Sequence, residues 1–368
     1  MTSPRLRVAI VGAGLGGLLL ALSLQKSCQD LRVDIYESTA ELTEIGAGVG
    51  MWPRMWEIIE HLGLSDELKE VSGAHNPHGL ISSAVPAQPV HIRKEDESEP
   101  VEFFQLPPTL YTFHRSVLQK LLARHLGPSI AIHFSKRLVS YIEPTESDEP
   151  IVLQFCDGTS AKCDVLVGSD GIRSAVRRSM FNVLADEACG RGEMEDSARI
   201  RSMVDPVWSG QVAYRGLIPS AALKSSGFED TGSPAFLLGK NKAHAMTPHL
   251  GAGACQALED GFILAAIIAQ PTVTLQNLHV ALGIYDSVRR PFAEMVLRRS
   301  RRNGFLFHFN TLGWEDVTAE QSMAGGFSAE RLGEVGKALE EQFGFLFTSS
   351  IMEARGRAID MVRALKRE

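Results

Sequence analysis

The feature that most constrains the fold of this chain is a cluster of glycines between a short apolar strand and a helix-forming run. Val8 to Val11 is apolar, and it leads into the sequence GAGLGG at residues 12–17 and then into a leucine-rich stretch. A second apolar run, Val33 to Tyr36, ends at Glu37. The order strand, glycine turn, helix, strand and acid predicts a βαβ unit that binds a dinucleotide.

Each part of this unit has a physical role in holding a pyrophosphate. Gly12 permits the tight turn, Gly14 lets the backbone approach the phosphates, and Gly17 lets helix and strand pack closely. The helix N-terminus offers free N–H groups and the positive end of its dipole. Glu37 can accept hydrogen bonds from a ribose hydroxyl. A glycine-rich turn that binds nothing is the alternative.

The residues that follow Glu37 bear on which dinucleotide is bound. They are Ser38 and Thr39, and no arginine lies close to them in the sequence. An arginine at this place commonly accommodates the 2′-phosphate of NADP. The sequence therefore favours FAD or NAD, and the first motif alone does not separate the two.

Composition limits the class of protein. The chain has 368 residues, enough for about two domains, and its 44% hydrophobic and 22% charged content is ordinary for a soluble enzyme. A net charge of −7 argues against a nucleic-acid or anionic-membrane partner. The longest later apolar run, Gly261 to Ala269, is too short to span a bilayer. We expect no membrane span and no nucleic-acid partner.

Cysteine and histidine spacing argues against metal sites and disulfides. The five cysteines form no CxxC pair, which is typical of reduced thiols in a cytoplasmic protein. His244 and His249 lie five residues apart without a third ligand nearby, so a structural role is expected and no metal is predicted.

Hydrophobic periodicity predicts a mixed α/β chain. Helices are expected over Pro53–His61, from Arg115, over Ala254–Ala269, over Gln276–Asn303 with an interruption at Pro291, and from Ser328 onward. Strands are expected over Leu110–Phe113, Ile130–Phe134, Leu138–Ile142 and Gln211–Ile218, with a hairpin formed by Ile151–Cys156 and Ala161–Val167. Residues 183–205 are expected to form an irregular surface insertion. The arginines at 289, 290, 298, 299, 301 and 302 are expected on a solvated face or on an intersubunit face, as in a homodimer.

A second informative stretch is GSDGIRSAVR at residues 168–177. It places Asp170 at the carboxyl end of a strand, where ligands bind in α/β sheets, and Ser174 at a helix N-cap. An ordinary strand-to-helix turn is the alternative. The chain also contains His114-Arg115, WSGQVAYRGLIP at 208–219, AHAMTPHLGAGACQALED at 243–260 and YDSVRRP at 285–291.

Together these motifs resemble the group A flavin-dependent aromatic hydroxylases, in particular salicylate hydroxylase-like monooxygenases of the fungal type. The resemblance covers most of residues 5–310. It implies a para-hydroxybenzoate-hydroxylase-type α/β fold: a Rossmann-like FAD-binding domain interleaved with a β-sheet substrate domain, followed by a helical C-terminus. The expected units are a discontinuous FAD-binding domain (1–85, 109–182 and 237–305), a truncated substrate domain (86–108 and 205–236) and a C-terminal helical region (306–368).

The resemblance also implies roles for individual residues. Glu37 would hold the adenosine ribose, Gly50 would lie along FAD through its backbone, and Arg115 would contact the cofactor. The segment around Asp170 is similar to the family's DG motif, which serves both FAD and NAD(P)H. Arg215 would face the substrate, where a fixed cation favours a phenolate or carboxylate. The activated ring carbon would then attack a flavin C4a-hydroperoxide formed from O2.

The stretch from Pro248 to Ala254 is expected at the flavin ring. Gly251 and Gly253 allow the backbone to lie close to a flat ring, and a helix beginning near Ala254 directs its positive end toward it. Reduced flavin carries negative charge, which that dipole stabilises.

The chain departs from the family pattern between Ser220 and Lys242. A long β segment is expected there, and this stretch is several dozen residues shorter. Asn241 stands where the family has an aspartate that binds the ribityl chain, so a charge and a strong acceptor are lost. The leading hypothesis is an FAD-dependent monooxygenase that uses NAD(P)H and O2 on a small aromatic, phenolic substrate.

Two alternatives to this hypothesis are a shortened flavoprotein with little or no hydroxylase activity and an NAD-dependent dehydrogenase. The dehydrogenase would use the first motif only and leave the other motifs without a role. A disulfide-reductase-type flavoprotein is disfavoured because the chain has no redox CxxxxC and no second GxGxxG.

Overall fold

The computed structural model describes residues 3–42, 48–74, 90–94, 101–106, 111–144, 149–207, 220–225, 235–238, 250–310 and 317–365. The strands are β1 (Leu6–Val11), β2 (Leu31–Tyr36), β3 (Gly48–Met51), β4 (Val90–Lys94), β5 (Val101–Leu106), β6 (Tyr111–His114), β7 (Ile130–His133), β8 (Leu138–Ile142), β9 (Ile151–Phe155), β10 (Ser160–Cys163), β11 (Val165–Gly168) and β12 (Ala235–Leu238). The helices are α1 (Leu15–Ser27), α2 (Pro53–His61), α3 (Ser65–Ala74), α4 (Arg115–Arg124), α5 (Ala175–Gly190), α6 (Met194–Arg201), α7 (Ser220–Ser225), α8 (Gly253–Ile268), α9 (Leu278–Phe307), α10 (Ala319–Met323), α11 (Ala329–Phe343), α12 (Phe345–Thr348) and α13 (Ile351–Ala364).

A four-stranded parallel sheet with the order β11-β1-β2-β7 forms the centre of the fold. Strand β1 is apolar from Val8 to Val11 because both of its faces are covered there: Val8 and Ile10 belong to one hydrophobic core, and Ala9 and Val11 to another. In the register, Val11 lies between Tyr36 and Gly168. The carboxyl ends of three strands therefore meet at one edge, as the dinucleotide motif predicts.

Helices α1 and α8 pack closely side by side and run in the same direction. A Cβ atom at Gly16 would lie 3.2 Å from the Cβ of Ala257, and one turn later a Cβ at Gly261 would lie 3.2 Å from the Cβ of Leu20. Because both pairings advance along the two chains together, the N-termini of α1 and α8 lie at the same end. This brings the segment at 250–254 toward the glycine turn.

The smaller sheets surround this centre. One is antiparallel with the order β10-β9-β8, one has the order β12-β4-β5, and β3 pairs with β6. The predicted hairpin is confirmed between β9 and β10, but the single arm expected over Ala161–Val167 is wrong. The chain bends at Asp164, which accepts hydrogen bonds from the backbone N–H and the guanidinium of Arg7. Beyond this bend, β11 leaves the hairpin and joins β1 in the parallel sheet.

Two other predictions from the sequence are corrected. Residues 183–205 are not an irregular insertion, since α5 continues to Gly190 and α6 packs against it, with the Ser197 hydroxyl donating to the Ala185 carbonyl at 2.7 Å.

Helix α9 is continuous through Pro291 rather than interrupted there. One lost backbone hydrogen bond is tolerated because the residues on both sides are anchored: Arg289 is buried in ion pairs, and Phe292 packs edge-on against Phe345.

The C-terminal helices are fastened to α2. The Glu57 carboxylate accepts hydrogen bonds from the Ser350 hydroxyl at 2.6 Å and from the Ile351 N–H at 3.1 Å, so it caps the N-terminus of α13. Arg54 donates to the Ser349 hydroxyl at 3.1 Å. Within the described ranges, no helix is long and apolar enough to cross a membrane.

Candidate cofactor site

A cavity of about 280 Å³ opens at the carboxyl edge of the parallel sheet. Its walls come from the ends of β1, β2 and β11, from the turn after β7 and from the start of α4. The lining residues are Val11, Gly12, Gly14, Tyr36, Glu37, Ser38, Arg115, Lys136, Arg137, Leu138, Ser169, Asp170, Gly171, Arg173 and Ala175. Predicted site residues from four separate parts of the sequence, namely Gly12 and Gly14, Glu37, Arg115 and Asp170, thus share one cavity.

The glycine turn has the geometry that its sequence predicts. Gly12 has φ of +104°, a conformation that side chains rarely adopt, and its N–H donates to the Tyr36 carbonyl at 2.8 Å. A Cβ at Gly17 would lie 2.2 Å from the Gly12 carbonyl oxygen, so only glycine fits between turn and helix. A Cβ at Gly14 would meet nothing within 4 Å. The turn therefore packs tightly against α1 at Gly17, while the space beside Gly14 is open to a ligand.

Glu37 lies on one side of this turn and is tied to it. Its Oε2 accepts a hydrogen bond from the Ala13 N–H at 2.8 Å, and its Oε1 accepts from the Thr39 N–H at 2.9 Å. Burial favours the neutral acid, but these hydrogen bonds outweigh it and lower the pKa of Glu37. The carboxylate is therefore ionised at neutral pH, and Oε2 retains a lone pair for a further donor.

Asp170 lies on the other side of the turn. Its Oδ2 accepts from the Ala175 N–H at 2.6 Å and the Val176 N–H at 3.2 Å, while the Ser174 hydroxyl accepts from the Arg177 N–H at 2.9 Å. Both side chains thus cap α5. The other oxygen, Oδ1, is buried, and no atom of the described part of the chain donates a hydrogen bond to it. A buried carboxylate oxygen without a donor is costly, so a ligand that brings a hydroxyl or N–H group would satisfy it.

Basic side chains surround the cavity. Arg115 begins α4 and is partly buried, and Arg173 approaches from the turn before α5. Lys136 and Arg137 come from the turn after β7, where the Lys136 N–H donates to the Glu37 carbonyl at 2.7 Å. Neither residue is among those predicted from the sequence, in which no arginine lies close to Glu37. The signal for them was the strand at 130–134, whose carboxyl end reaches this edge only if it belongs to the same parallel sheet.

The N-terminus of α8 forms a second part of the site, next to β3. The Cys255 thiol donates to the Gly50 carbonyl at 3.3 Å, and the Trp52 indole N–H donates to the Leu250 carbonyl at 3.1 Å. Gly251 has φ of +60°. Within the described residues, no side chain forms a capping hydrogen bond at the N-terminus of α8, so its first N–H groups could donate to a negatively charged partner.

A buried ionic cluster fixes this end of α8 and was also missed. The Glu259 carboxylate is 1% exposed and forms ion pairs with the guanidinium groups of Arg54 at 3.1 Å and Arg289 at 2.9 Å. Arg289 also forms an ion pair with the Asp260 carboxylate at 2.7 Å. The prediction that Arg289 lies on a solvated or intersubunit face is therefore wrong. Its neighbour Arg290 is exposed and pairs with Asp286, as that prediction requires.

Three predicted site residues lie outside the described residues. They are Arg215, expected at the substrate, and Asn241 and Pro248, expected at the flavin. The strand expected over Gln211–Ile218 and the histidines His244 and His249 also fall there. In the described part of the chain, no group of His, Cys, Asp or Glu could hold a metal ion.

The residues that are present fit an FAD molecule. A pyrophosphate could approach the open turn at Gly14, and its sugars could donate hydrogen bonds to the ionised Glu37 and to Asp170 Oδ1. The N-terminus of α8 suits the anionic edge of the flavin ring. The fold and site define an α/β protein of the Rossmann-like, dinucleotide-binding class. The chain belongs to the FAD binding domain family, whose family model matches residues 5–188.

The curated relatives that the chain resembles include FAD-dependent and aromatic monooxygenases. It is 37% identical to the FAD-dependent monooxygenase str9 of Strobilurus tenacellus over 66% of this chain and 52% of that protein. It is 27% identical to a salicylate hydroxylase of Pseudomonas putida, over 89% of this chain and 91% of that protein. The second alignment extends over 425 positions, more than the 368 residues available, so it leaves gaps in this chain. The first relative is matched over about half its length.

Solved structures show the same fold. The match to a salicylate hydroxylase substrate complex has a TM-score of 0.64 at 21% identity and covers 97% of this chain and 98% of that chain. HpxO of Klebsiella pneumoniae, complexed with FAD and uric acid, matches with a TM-score of 0.55 at 19% identity, over 99% and 98% of the two chains. The expected fold class, a Rossmann-like FAD-binding domain with a β-sheet substrate domain and helical C-terminus, is confirmed, as is the family resemblance.

Proposed function

We propose that this protein hydroxylates a small aromatic substrate, using FAD as cofactor, NAD(P)H as electron donor and O2 as oxygen donor. The observation that carries the proposal is the cavity in which the glycine turn, Glu37 and the partnerless oxygen of Asp170 converge. Family membership identifies the dinucleotide suited to this cavity as FAD. In the overall reaction one oxygen atom enters the ring, the other leaves as water, and NAD(P)H is oxidised to NAD(P)⁺.

The protein's own residues bind and orient the cofactor. Glu37 and Asp170 would accept hydrogen bonds from its sugar hydroxyls, and Arg115 and the N-terminus of α1 would offset the charge of its phosphates. The N-terminus of α8 would face the ring system, with Gly50, Gly251 and Gly253 allowing a close approach. Bound FAD supplies the redox chemistry between NAD(P)H and O2.

The proposed substrate is a phenol that carries a carboxylate. Relatives named salicylate hydroxylase, 6-methylsalicylate 1-monooxygenase and 3-amino-4-hydroxybenzoate 2-monooxygenase support this class. Arg215 remains the residue proposed to face the substrate. An arginine there would favour the phenolate or carboxylate form, and an ionised phenol makes the ring carbon a better nucleophile.

The domain boundaries are also proposed. The FAD-binding domain would comprise 1–85, 109–182 and 237–305, the substrate domain 86–108 and 205–236, and the C-terminal helices 306–368. Strand β12, which pairs in parallel with β4, would contribute to the substrate sheet together with β5.

A second candidate is a flavoprotein that retains the cofactor but has little hydroxylase activity. The shortness of residues 220–242 and the gaps in the salicylate hydroxylase alignment favour it. In this case the FAD site would remain intact while the substrate side is reduced.

One experiment separates the two candidates. The purified chain is saturated with FAD, and oxidation of NADH and NADPH is followed with and without salicylate, with ¹⁸O2 as the oxygen source. Oxidation stimulated by salicylate, together with a product that contains one ¹⁸O atom, is the result expected of a hydroxylase. Flavin binding with no labelled product across a panel of hydroxybenzoates would instead support the second candidate.

A matched variant connects this result to the proposed residue. Arg215→Gln should lower labelled product formation while FAD binding is unchanged. Equal product formation by Arg215→Gln and the unaltered chain would contradict the role of Arg215.

A further inference from the structure

A second cleft lies at the opposite ends of α1 and α8 from the cofactor site. Its volume is about 360 Å³. The twelve residues from Gly14 to Lys26 correspond to about 18 Å along α1, so the two sites are separate. We call it the rear cleft, and the residues that define it are Ser23, Lys26, His61, Phe262, Gln270 and Arg355.

The rear cleft is positively charged and has no acid in its lining. Lys26, His61 and Arg355 come from α1, α2 and α13, and the lining contains no aspartate or glutamate. Across the described residues, neither Lys26 nor Arg355 forms an ion pair with a carboxylate. Burial lowers the pKa of Arg355, and burial together with Arg355 and Lys26 lowers the pKa of His61. An anion would relieve this repulsion.

The floor of the rear cleft is apolar. Leu62, Phe262 and Ala266 are at most 2% exposed, and the His61 ring meets the Phe262 ring edge-on at a centroid distance of 5.2 Å. The Arg355 guanidinium carbon lies 5.5 Å from the centroid of the same ring. A flat apolar body would be covered here on one side while its charged group reaches Arg355.

A buried hydroxyl gives an independent sign of a ligand. Ser23 lines the cleft and is 2% exposed, and its Oγ has no hydrogen-bond partner among the residues that the structure describes. A buried hydroxyl without a partner costs free energy, and an acceptor oxygen placed in the cleft would satisfy it.

Helix ends account for only part of the positive charge. The Lys26 ammonium donates to the Leu62 carbonyl, and His61 is the last residue of α2, so both offset helix C-termini. Arg355 is different because it is the fifth residue of α13 and offsets no helix C-terminus. Its contact with the Phe262 ring leaves its charge available to an anion.

We propose that the rear cleft binds a small aromatic carboxylate, with the carboxylate at Arg355 and Ser23 and the ring on Phe262. The proposal concerns a site remote from the cofactor and does not depend on hydroxylase activity. Such a site would let an aromatic acid bind a second time, outside the pocket where chemistry is proposed.

The test is isothermal titration of the FAD-saturated chain with benzoate, benzamide and inorganic phosphate. Benzamide has the shape of benzoate without its charge, and phosphate has charge without an apolar body. Arg355→Gln should weaken one benzoate site about tenfold or more, the size expected for loss of a charge-assisted hydrogen bond. Arg357→Gln, an exposed change on the same helix, should leave that site unchanged.

A spectroscopic measurement keeps the proposal testable if Arg355→Gln fails to fold. Benzoate should raise the pKa of His61, followed through its imidazole signals by NMR, because a bound anion favours the protonated ring. Benzoate binding that is unaffected by Arg355→Gln, benzamide or phosphate binding as tightly as benzoate, or no change at His61 would each overturn the assignment. In that case the cations serve the helix ends only.

Discussion

Replacing Glu259 with glutamine should destabilise the protein strongly although the two side chains have nearly the same shape. The Glu259 carboxylate accepts from Arg54 at 3.1 Å and from Arg289 at 2.9 Å, and all three side chains are at most 4% exposed. An amide has one oxygen only, so its NH2 group would face a guanidinium donor. Two buried cations would also lose their shared anion.

The expected loss is about 3–5 kcal/mol in the free energy of unfolding, the cost of breaking a buried ion pair by removing one partner. Against a typical total of about 5–15 kcal/mol this is a large fraction, and the melting temperature should fall on the order of 10 °C. Urea unfolding followed by circular dichroism, without FAD, measures the difference directly.

The adjacent residue provides the control. Asp260 contacts the same Arg289 at 2.7 Å, but its side chain is 40% exposed. Asp260→Asn should cost about 1 kcal/mol or less, because a partly solvated pair contributes little. Equal effects of Glu259→Gln and Asp260→Asn, or a loss of less than about 1 kcal/mol for Glu259→Gln, would show that burial does not strengthen the ion pairs of Glu259.

Three further predictions concern the cofactor site. Gly17→Ala places a methyl group 2.2 Å from the Gly12 carbonyl and should lower both stability, by about 1–3 kcal/mol, and FAD affinity; a variant that binds FAD normally would contradict the packing of the turn. Asp170→Asn should weaken FAD binding about tenfold in a fluorescence titration, because the amide keeps one acceptor for α5 and presents a donor where Oδ1 now lies. The pKa of Glu37 in the folded protein is below its ordinary 4.5, so the stabilisation by Glu37 is full above pH 4.5 and is lost as the pH falls through the lowered pKa. The difference in unfolding free energy between the unaltered chain and Glu37→Gln should therefore be constant near neutral pH and shrink in acid. A difference that grows in acid would contradict a lowered pKa.

The central part of the fold was predictable because it depends on local sequence. The first βαβ unit, the helix Pro53–His61, the helix from Arg115 and the Ser174 cap follow from periodicity, from glycine and proline placement and from capping residues. These signals act over a few residues. The structure reproduces them with small shifts of the ends.

The errors arose where distant contacts override local pattern. The split between β10 and β11 is fixed by Arg7, a residue far away in the sequence, and α9 passes Pro291 because buried partners hold it on both sides. The density of charge in residues 183–205 suggests an irregular segment, but these charges lie on the outer faces of α5 and α6.

The candidate site was predictable where a motif carried it. Glu37 and Asp170 were both identified, but their location on either side of one glycine turn depends on the strand order β11-β1-β2. Lys136, Arg137 and the cluster around Glu259 were missed because no local pattern distinguishes a cavity-lining or buried charge from a solvated one. Sheet order and helix packing decide that difference.

The central claim is that the cavity between Glu37 and Asp170 holds the ADP half of FAD. The most direct test is titration of the FAD-free chain with FAD, followed by flavin fluorescence, in the presence and absence of ADP. The account predicts saturable binding of one FAD per chain, competition by ADP, and weaker binding of both ligands by Asp170→Asn. FAD binding that ADP does not reduce, or no binding at all, would contradict it.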